Sequence, residues 1–367
     1  MIRAIDDLDK ITEGETVVLL FSGGLDSTYL LTKLINQHNC YVIALTIDVG
    51  QTDSPIDLEK QNRVEFVKLD CREEFSYDYV LSAIQNNGRY LGHHPLSASL
   101  SRPLFAKKAI ELARDRGACA IIHTAVAHQN SLRRFNNSIK ELGFEGEYGS
   151  PFELSDVSRK EKIEYLKEYS VDVCQGRKLS FDSNLWAMEC EGDGPDCKSI
   201  KEYPHEFLNF NENRFGNIDI VLEFSKGVPV SLNHQEMKLN KLIESLTELV
   251  KDFEIGQYIS YEENPSNEKM LEIKKAPAAE IILKSYWSFL NKFLAHDHLM
   301  LKNQLDQVWS KEASEGRWYS NLKKDIEAFN RSISKDVNCV VSIKVSSSKI
   351  HIVNVEKTII LPLQAVS

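Results

Sequence analysis

The chain has 367 residues and a formal net charge of −10; 42% of its residues are hydrophobic and 27% are charged. This balance is typical of a globular protein with two or three domains, and it excludes collagen-like, coiled-coil and largely disordered chains. The acidic net charge argues against a nucleic-acid partner.

The first half of the chain alternates short apolar runs with amphipathic segments. An apolar run of this length is typical of a strand buried on both faces, and the alternation predicts a doubly wound parallel α/β sheet. The helix predicted at 158–168 begins with a capping box, Ser158 followed by Glu161. The predicted strands are 16–21, 41–47, 64–69 and 118–123, and the predicted helices are 29–35, 74–85, 102–116 and 158–168.

The pattern changes after about Val173 and becomes typical of an α+β domain. Two hairpins are predicted, at 218–232 around Lys226-Gly227 and at 340–353 around 346–348. Helices are predicted at 239–252, over most of 279–307, and at 321–334. We therefore divide the chain into a first domain, 1–172, and a second domain, 173–367.

The segment between the first strand and the first helix carries the clearest chemical signal. Its glycines let the backbone approach a phosphate, and its hydroxyl and amide groups can donate hydrogen bonds to an anion at a helix start. It is neither a Walker A loop nor a G-x-G-x-x-G turn, and an ordinary glycine-rich turn is the alternative. We predict a phosphate-binding segment, called the phosphate loop below, that consists of Ser22, Gly23, Gly24, Leu25, Asp26, Ser27 and Thr28.

The pattern S-G-G-x-D-S resembles the pyrophosphate-binding loop of the N-type ATP pyrophosphatases, which cleave ATP between its α- and β-phosphates. The further segments, in their order along the chain, resemble the argininosuccinate synthase family from about Val17 to about Val353. The resemblance implies an adenine nucleotide alpha hydrolase-like domain followed by an α+β synthetase-type domain. The segments that carry it are 48–51, Tyr90, 95–96, 101–107, 182–186 and 223–230.

In that family, ATP adenylates the ureido oxygen of citrulline and releases pyrophosphate, and the amine of aspartate then displaces AMP. The resemblance thus implies a carbon–nitrogen ligase that uses ATP, Mg²⁺ and small amino-acid-like substrates. Asp26, Ser27 and Arg102 are the implied catalytic residues, and Lys107 is a weaker candidate for stabilising phosphate charge. The phosphate loop and Thr124 would bind ATP, Asp26 would help to hold Mg²⁺, and no resident metal centre is expected.

The resemblance also places the substrate residues. Family positions that contact citrulline are occupied here by Tyr90, Arg134, Ser180 and Glu262, and Asn130 and Ser131 would lie near the attacking amine. The complete set of predicted substrate-binding residues is Tyr90, Ser99, Asn130, Ser131, Arg134, Ser180, Glu189, Glu262 and Lys274.

Four positions in or beside the predicted pocket depart from the family. Val126 replaces a threonine and Ser131 an aspartate, and both of the replaced residues help to hold the aspartate substrate in the family. Glu189 stands where the family has a serine, and Lys274 where it has a tyrosine. A new acid and a new base favour a different charge pattern on the substrate. We interpret the chain as a family member with a changed substrate pair, in a specialised amino-acid-derived pathway.

Three alternatives stay open at this point. The chain could be an ordinary argininosuccinate synthase, or a nucleotide-binding protein without catalysis. A tRNA thiolase is a weaker alternative, because the chain is acidic and has no C-x-x-C motif.

Cellular location and assembly are expected from simpler features. There is no apolar run of transmembrane length, no secretory signal, and no metal-type spacing among the seven cysteines, which favours a cytoplasmic protein with no membrane partner. The histidine pairs at 93–94 and 296–298 are interpreted as surface or supporting residues rather than metal ligands. We expect a homo-oligomer, a dimer or tetramer, although the family's C-terminal arm is not recognised in the sequence.

Overall fold

The structure is a computed structural model that describes residues 1–51, 62–171, 180–191 and 216–358. The side chains of Ser180, Phe181 and Glu191 lie outside this description. None of the helices in these ranges has both the length and the apolar character that crossing a membrane requires.

A parallel sheet forms the centre of the first half. Its strand order is β3-β2-β1-β6-β7, and each pair of neighbours is parallel. Two short strands, β4 and β5, pair separately as a small hairpin. The strands are β1 (Thr16–Leu20), β2 (Tyr41–Asp48), β3 (Val64–Asp70), β4 (Arg89–Tyr90), β5 (His94–Pro95), β6 (Ala120–Ile122) and β7 (Glu147–Gly149).

Helices cover both faces of this sheet. In β1, Val17 and Leu19 pack in one apolar cluster with Leu30 of the first helix, whereas Val18 packs in another with Leu104. Because successive strand side chains point to opposite faces, the sheet is buried on both sides, which confirms the doubly wound fold. The helices are α1 (Leu25–Asn36), α2 (Arg72–Glu74), α3 (Leu81–Gln85), α4 (Ala98–Arg116), α5 (Asn130–Glu141) and α6 (Arg159–Glu168), with a 3₁₀ helix at Ile5–Lys10 and a π-helix at Phe75–Val80.

The second half combines two antiparallel sheets with four helices in the described ranges. The sheet orders are β12-β11-β10-β15-β16 and β13-β14-β9-β8. The strands are β8 (Ser180–Ser183), β9 (Met188–Glu191), β10 (Asn217–Ser225), β11 (Val228–Leu232), β12 (Gln235–Glu236), β13 (Gln257–Glu263), β14 (Lys269–Lys275), β15 (Cys339–Ser346) and β16 (Lys349–Lys357). The helices are α7 (Leu239–Leu249), α8 (Pro277–Phe293), α9 (His296–Ser314) and α10 (Asn321–Ser334).

The main apolar core crosses from one half to the other. Val18 and Leu104 of the first half belong to the same buried cluster as Leu222, Tyr286 and Trp309 of the second. Each of these side chains is almost fully removed from solvent. The two halves therefore share hydrophobic stabilisation instead of meeting at a wet surface.

Several boundaries differ from the sequence prediction. The helix predicted at 279–307 is two helices, because Leu294 adopts an extended conformation between them. Helix α4 begins at Ala98 rather than at 102, with Pro103 inside it. Helix α7 ends at Leu249. The sequence prediction missed helix α5 and the strands β4, β5, β7, β8, β9, β12, β13 and β14.

Candidate active site

The strand order reverses beside β1, and the phosphate loop lies at this reversal. Chain connections run outward from β1 to β2 and β3 on one side and from β6 to β7 on the other. Leu19 of β1 lies opposite Ile122 of β6. The phosphate loop follows β1 and Thr124 follows β6, so both leave the carboxyl edge of the sheet where open α/β folds bind ligands.

The phosphate loop closes on itself through hydrogen bonds between its own residues. Gly23 has a φ of +74°, a conformation that favours glycine, and Gly24 is the N-cap of α1. The Ser27 hydroxyl donates to the Gly24 carbonyl at 3.1 Å, and the Gly24 amide donates to Ser22 Oγ at 3.3 Å. The hydroxyls of Ser22 and Ser27 are 3.2 Å apart. These contacts hold hydroxyl and amide donors together at the start of a helix, as an anion site requires.

Two further loop side chains bear on ligand binding. Thr28 is buried, and its Oγ1 has no hydrogen-bond partner in the part of the chain that the structure describes. Asp26 is 40% exposed, and its Oδ1 lies 2.8 Å from the Nζ of Lys162 on α6. The loop therefore offers a polar ligand a buried hydroxyl that can hydrogen-bond to it and a carboxylate that solvent can reach.

Two of the sequence segments that carry the family resemblance meet across the halves. Gly50 has a φ of +90°, and a Cβ there would lie 2.6 Å from Leu185 Cγ. The Leu185 amide donates to the Val49 carbonyl at 2.8 Å, and Asn184 Nδ2 donates to Ser97 Oγ at 3.0 Å. This close packing joins the end of β2 to the turn between β8 and β9.

The sheet β13-β14-β9-β8 brings together charged residues that are far apart in the sequence. Lys274 of β14 lies opposite Glu189 of β9, which lies opposite Asp182 of β8. Side chains two positions apart share a face, so Glu272 lies on the face of Lys274, and Glu262 of β13 lies on it too. We call these five residues, Asp182, Glu189, Glu262, Glu272 and Lys274, the charged sheet face.

Lys274 is the centre of the charged sheet face. Its Nζ lies 2.8 Å from Glu189 Oε1 and 3.0 Å from Glu272 Oε2, and the side chains of Lys274 and Glu189 are only 4% and 3% exposed. Burial lowers the pKa of Lys274, but the surrounding carboxylates outweigh it and raise that pKa. The acid and the base that the resemblance predicts to be unusual are thus direct partners, and their charges compensate each other.

Arg134 of α5 extends this cluster. Its Nη2 donates to Glu262 Oε1 at 2.6 Å and its Nε donates to the Ser314 carbonyl at 2.9 Å, and both ionic side chains are buried. Burial would raise the pKa of Glu262, but Arg134 and Lys274 outweigh it and lower that pKa to about 2. Glu262 is therefore a carboxylate at neutral pH.

Arg102 links the first half to the charged sheet face. Its Nη2 donates to Asp182 Oδ2 at 2.6 Å, and its Nε donates to Ser131 Oγ at 3.3 Å. The guanidinium also lies 5.6 Å from the ring centroids of Phe105 and Phe135. These contacts fix the guanidinium beside the predicted amine-side residue Ser131.

Tyr90 and Asn130 converge on one backbone segment. The Glu263 amide donates to the Tyr90 hydroxyl at 3.3 Å, and Asn130 Nδ2 donates to the Glu263 carbonyl at 3.2 Å. Tyr90 stacks on His94 with ring centroids 5.4 Å apart. Burial and the nearby Lys274 lower the pKa of His94 to about 2, so its imidazole is neutral. In the described ranges, Asn130 Oδ1 and His94 Nε2 have no hydrogen-bond partner.

The structure therefore groups most of the predicted substrate residues around one cluster. Ser99 is buried in the first turn of α4, and Ser180 begins β8 with its side chain outside the description. Lys107 Nζ lies 2.7 Å from Glu74 Oε1. Four residues that the sequence prediction did not include contact or adjoin the predicted site residues: Asp182, Glu272, His94 and Lys162.

A sequence signal existed for only some of these additions. Asp182 lies in a segment that carries the family resemblance, and Glu272 stands two positions before Lys274. His94 was noted only as part of a histidine pair interpreted as surface or supporting residues, and it is buried against Tyr90. Lys162 has no such signal. Within the described ranges, no three or more His, Cys, Asp or Glu side chains are arranged to hold a metal ion.

Comparison with known proteins identifies the family. Residues 16–172 match the model of the argininosuccinate synthase N-terminal HUP domain, and residues 179–361 match that of the C-terminal domain. The chain is 34% identical to the argininosuccinate synthase of Thermoplasma volcanium (91% of this chain, 85% of that protein) and 33% identical to that of Dictyoglomus turgidum (90% and 85%). It is 30% identical to that of Sulfurisphaera tokodaii (90% and 86%). The chain therefore belongs to the argininosuccinate synthase family, and it is a carbon–nitrogen ligase that forms AMP and pyrophosphate.

Proposed function

We propose that this ligase adenylates a ureido or carboxylate oxygen with ATP and then joins that carbon to an amine, with a substrate pair changed from citrulline and aspartate. The observation that carries the proposal is the buried ion pair between Glu189 and Lys274. A change of substrate would suit a specialised biosynthetic role.

The ion pair changes what the pocket offers to a ligand. The resemblance implies a serine and a tyrosine here, so the exchange replaces two neutral hydroxyls by one acid and one base without a change of net charge. The Lys274 ammonium is already engaged by Glu189 and Glu272. A substrate that hydrogen-bonds to the two hydroxyls loses both partners, and a loss of this kind discriminates strongly between substrates.

The charges of the cluster indicate the class of group that fits. The cations Arg134 and Lys274 face Glu189, Glu262 and Glu272, and a hydrogen bond from Glu272 helps to lower the pKa of Glu262. Because a hydrogen bond between two carboxyl groups requires a proton on one of them, the charges of these five side chains balance. Of the two groups in the proposal, a neutral ureido group is therefore favoured beside them over a carboxylate.

The amine side has changed as well. Val126 has no hydrogen-bonding side chain, and Ser131 is neutral and accepts a hydrogen bond from Arg102. Neither residue supplies the contacts implied by the family's threonine and aspartate. An amine other than that of aspartate is therefore part of the proposal.

The ATP side follows from the phosphate loop. We assign the pyrophosphate part of ATP to the loop and Thr124, and charge stabilisation to Asp26, Ser27 and Arg102. Mg²⁺ fits this arrangement, because it is commonly held by one or two carboxylates together with substrate phosphates and water, and Asp26 is an accessible carboxylate of this kind. When bound, Mg²⁺ would compensate phosphate charge. Domain 1–172 would then bind ATP, and domain 173–367 would contribute substrate and oligomer contacts.

The decisive experiment is ATP-dependent pyrophosphate release. Citrulline and aspartate are supplied separately and together, followed by a panel of ureido, carboxylate and amine compounds. Release with another pair and not with citrulline plus aspartate supports the proposal. Asp26→Asn is the control, because it should abolish release without unfolding the protein. A nucleotide-binding protein without catalysis would bind ATP and release no pyrophosphate with any compound.

Ordinary argininosuccinate formation is the second candidate. The curated relatives carry that name, and Tyr90, Arg134 and Glu262 occupy positions that contact citrulline in the family. Citrulline-dependent pyrophosphate release, with argininosuccinate formed after addition of aspartate, would select it over the changed pair. A dimer or tetramer stays a prediction that light scattering of the purified protein tests.

A further inference from the structure

The phosphate loop contains a negative charge and no positive one. Its seven residues include Asp26 but no lysine or arginine. A carboxylate in the first turn of a helix interacts well with the helix dipole, yet it repels a second anion that binds at the same place. A polyphosphate bound by this loop therefore needs a cation close to Asp26.

Lys162 supplies a cation at this position. Its Nζ lies 2.8 Å from Asp26 Oδ1 and 4.2 Å from the centre of the Phe152 ring. The Lys162 side chain is only 10% exposed, whereas that of Lys160, two residues earlier, is 83% exposed. Lys162 is therefore held between an aromatic ring and a carboxylate, unlike an ordinary surface lysine.

Helix α6 is anchored so that Lys162 faces the loop. Ser158 and Glu161 exchange the hydrogen bonds of a capping box, which fixes the first turn immediately before Lys162. The rings of Tyr165 on α6 and Tyr29 on α1 are 5.1 Å apart and pack edge to face. The fold itself thus places the ammonium beside the start of α1.

We propose that Lys162 is the cation of the phosphate loop: it neutralises Asp26 before the nucleotide binds and strengthens binding of the pyrophosphate part of ATP. It is a positioning residue, since it contacts Asp26 and acts on the ligand through that carboxylate and through its own charge. This inference rests on the proposed ATP site.

The test measures pyrophosphate binding to the full-length protein by titration calorimetry, with Mg²⁺ and with EDTA instead. The variants are Lys162→Met, which keeps the apolar stem, and Lys162→Arg, which keeps the charge. Lys160→Met is the matched control on the same helix. Lys162→Gln provides a second neutral side chain if the methionine variant fails to fold.

We expect Lys162→Met to weaken pyrophosphate binding about tenfold in EDTA, and less with Mg²⁺, because the metal ion replaces the missing charge. Lys162→Arg should recover most of the affinity, and Lys160→Met should match the wild type. All variants should keep the wild-type melting temperature within a few degrees, as measured by circular dichroism.

Three results would overturn the inference. In the first, the neutral variants bind pyrophosphate as tightly as the wild type. In the second, they lose the same affinity with and without Mg²⁺, which indicates a distorted loop. In the third, Lys162→Arg binds pyrophosphate as weakly as Lys162→Met. A wild-type protein that binds no pyrophosphate in either condition contradicts the proposed ATP site itself. Wild-type binding combined with any of the three results contradicts only the role of Lys162.

Discussion

The phosphate loop and the charged sheet face are built in opposite ways. The loop is seven consecutive residues, and its hydroxyl and amide groups bond mainly to one another. The charged sheet face takes residues from β8, β9, β13 and β14, and it pairs buried charges across strands. The loop can therefore be recognised in a sequence, whereas the sheet face exists only after the strands have found their register.

The two regions also differ in whether a mutation should reduce function or stability. Asp26 of the loop is 40% exposed, so water can solvate what a substitution leaves behind. Glu189 and Lys274 are almost fully buried, so water cannot solvate a charge that a substitution leaves unpaired there. Loop variants should therefore lose function and keep stability, and single variants of the sheet face should lose stability first.

The largest expected effect is on the charged sheet face. Lys274→Met leaves Glu189 and Glu272 buried without their ammonium, and we expect a loss of about 3–5 kcal/mol in the free energy of unfolding. Urea denaturation measures it. Lys302→Met breaks a buried ion pair with Asp306 outside the site and is the control for substrate preference.

The double variant Glu189→Ser with Lys274→Tyr sharpens this test. It introduces the residue types that the resemblance implies and removes Glu189 together with the ammonium. Only Glu272 then loses its ion pair, so the double variant should cost less stability than Lys274→Met, which takes the cation from both carboxylates. It should also raise citrulline-dependent pyrophosphate release. A double variant as unstable as the single one, with no gain in the use of citrulline, would contradict both the pairing and the proposed specificity.

In the phosphate loop, Asp26→Asn should reduce turnover by at least about a hundredfold, because it removes the charged group of the loop. Its free energy of unfolding should change by no more than about 1 kcal/mol, since the pair with Lys162 is partly exposed. Pyrophosphate release and urea denaturation check the two halves of the prediction. An active, destabilised variant would reverse the comparison between loop and sheet face.

The pH dependence should be dominated by buried groups. Burial lowers the pKa of His94 to about 2 and that of His123 to about 4, while both titrate near 6.5 when unfolded. The unfolded chain therefore binds more protons as the pH falls below about 6.5, and stability decreases with it.

Glu262 extends this loss at lower pH. Its lowered pKa contributes stability above the unfolded value near 4.3, and that contribution is lost as the pH falls towards about 2. Urea denaturation at pH 7.5 and 5.5 tests the histidine part: His94→Asn should reduce the difference between the two pH values and leave the contribution of His123. Substitution of the exposed His351 by Asn should leave it unchanged.

The smallest expected effect concerns the helix that carries Lys162. Ser158→Ala removes the side chain that accepts a hydrogen bond from the Glu161 amide, and it should cost about 1 kcal/mol. Fraying of this turn should also weaken pyrophosphate binding slightly. Ser320→Ala removes a comparable cap from α10, away from the loop, and should lower stability without a change in that affinity.

What could be predicted from the sequence follows the same division. The first strand, the phosphate loop and the capping box at Ser158 depend on neighbouring residues, and they were predicted. The helix after the loop was predicted too, but it begins at Leu25 instead of at 29. Strand β14 reads Lys-Met-Leu-Glu-Ile-Lys-Lys, and most of its residues are buried although four of the seven are charged. Hydrophobic periodicity fails for such a strand.

Single residues of the charged sheet face could be predicted more easily than the contacts between them. The sequence and the family resemblance identified Glu189 and Lys274 singly as unusual. That they contact each other depends on the pairing of β9 with β14, about 80 residues apart in the chain. Lys162 likewise reaches Asp26 only because α6 packs on α1.

The shared core limits how this enzyme can be re-engineered. Leu104 and Trp309 come from different halves and lie in one buried cluster, so a chimera that joins the first half to the second half of a relative would mismatch packed side chains. We expect such chimeras to express poorly. Grafting a few side chains onto the sheet β13-β14-β9-β8 leaves that cluster intact, and it is the better route to a new substrate.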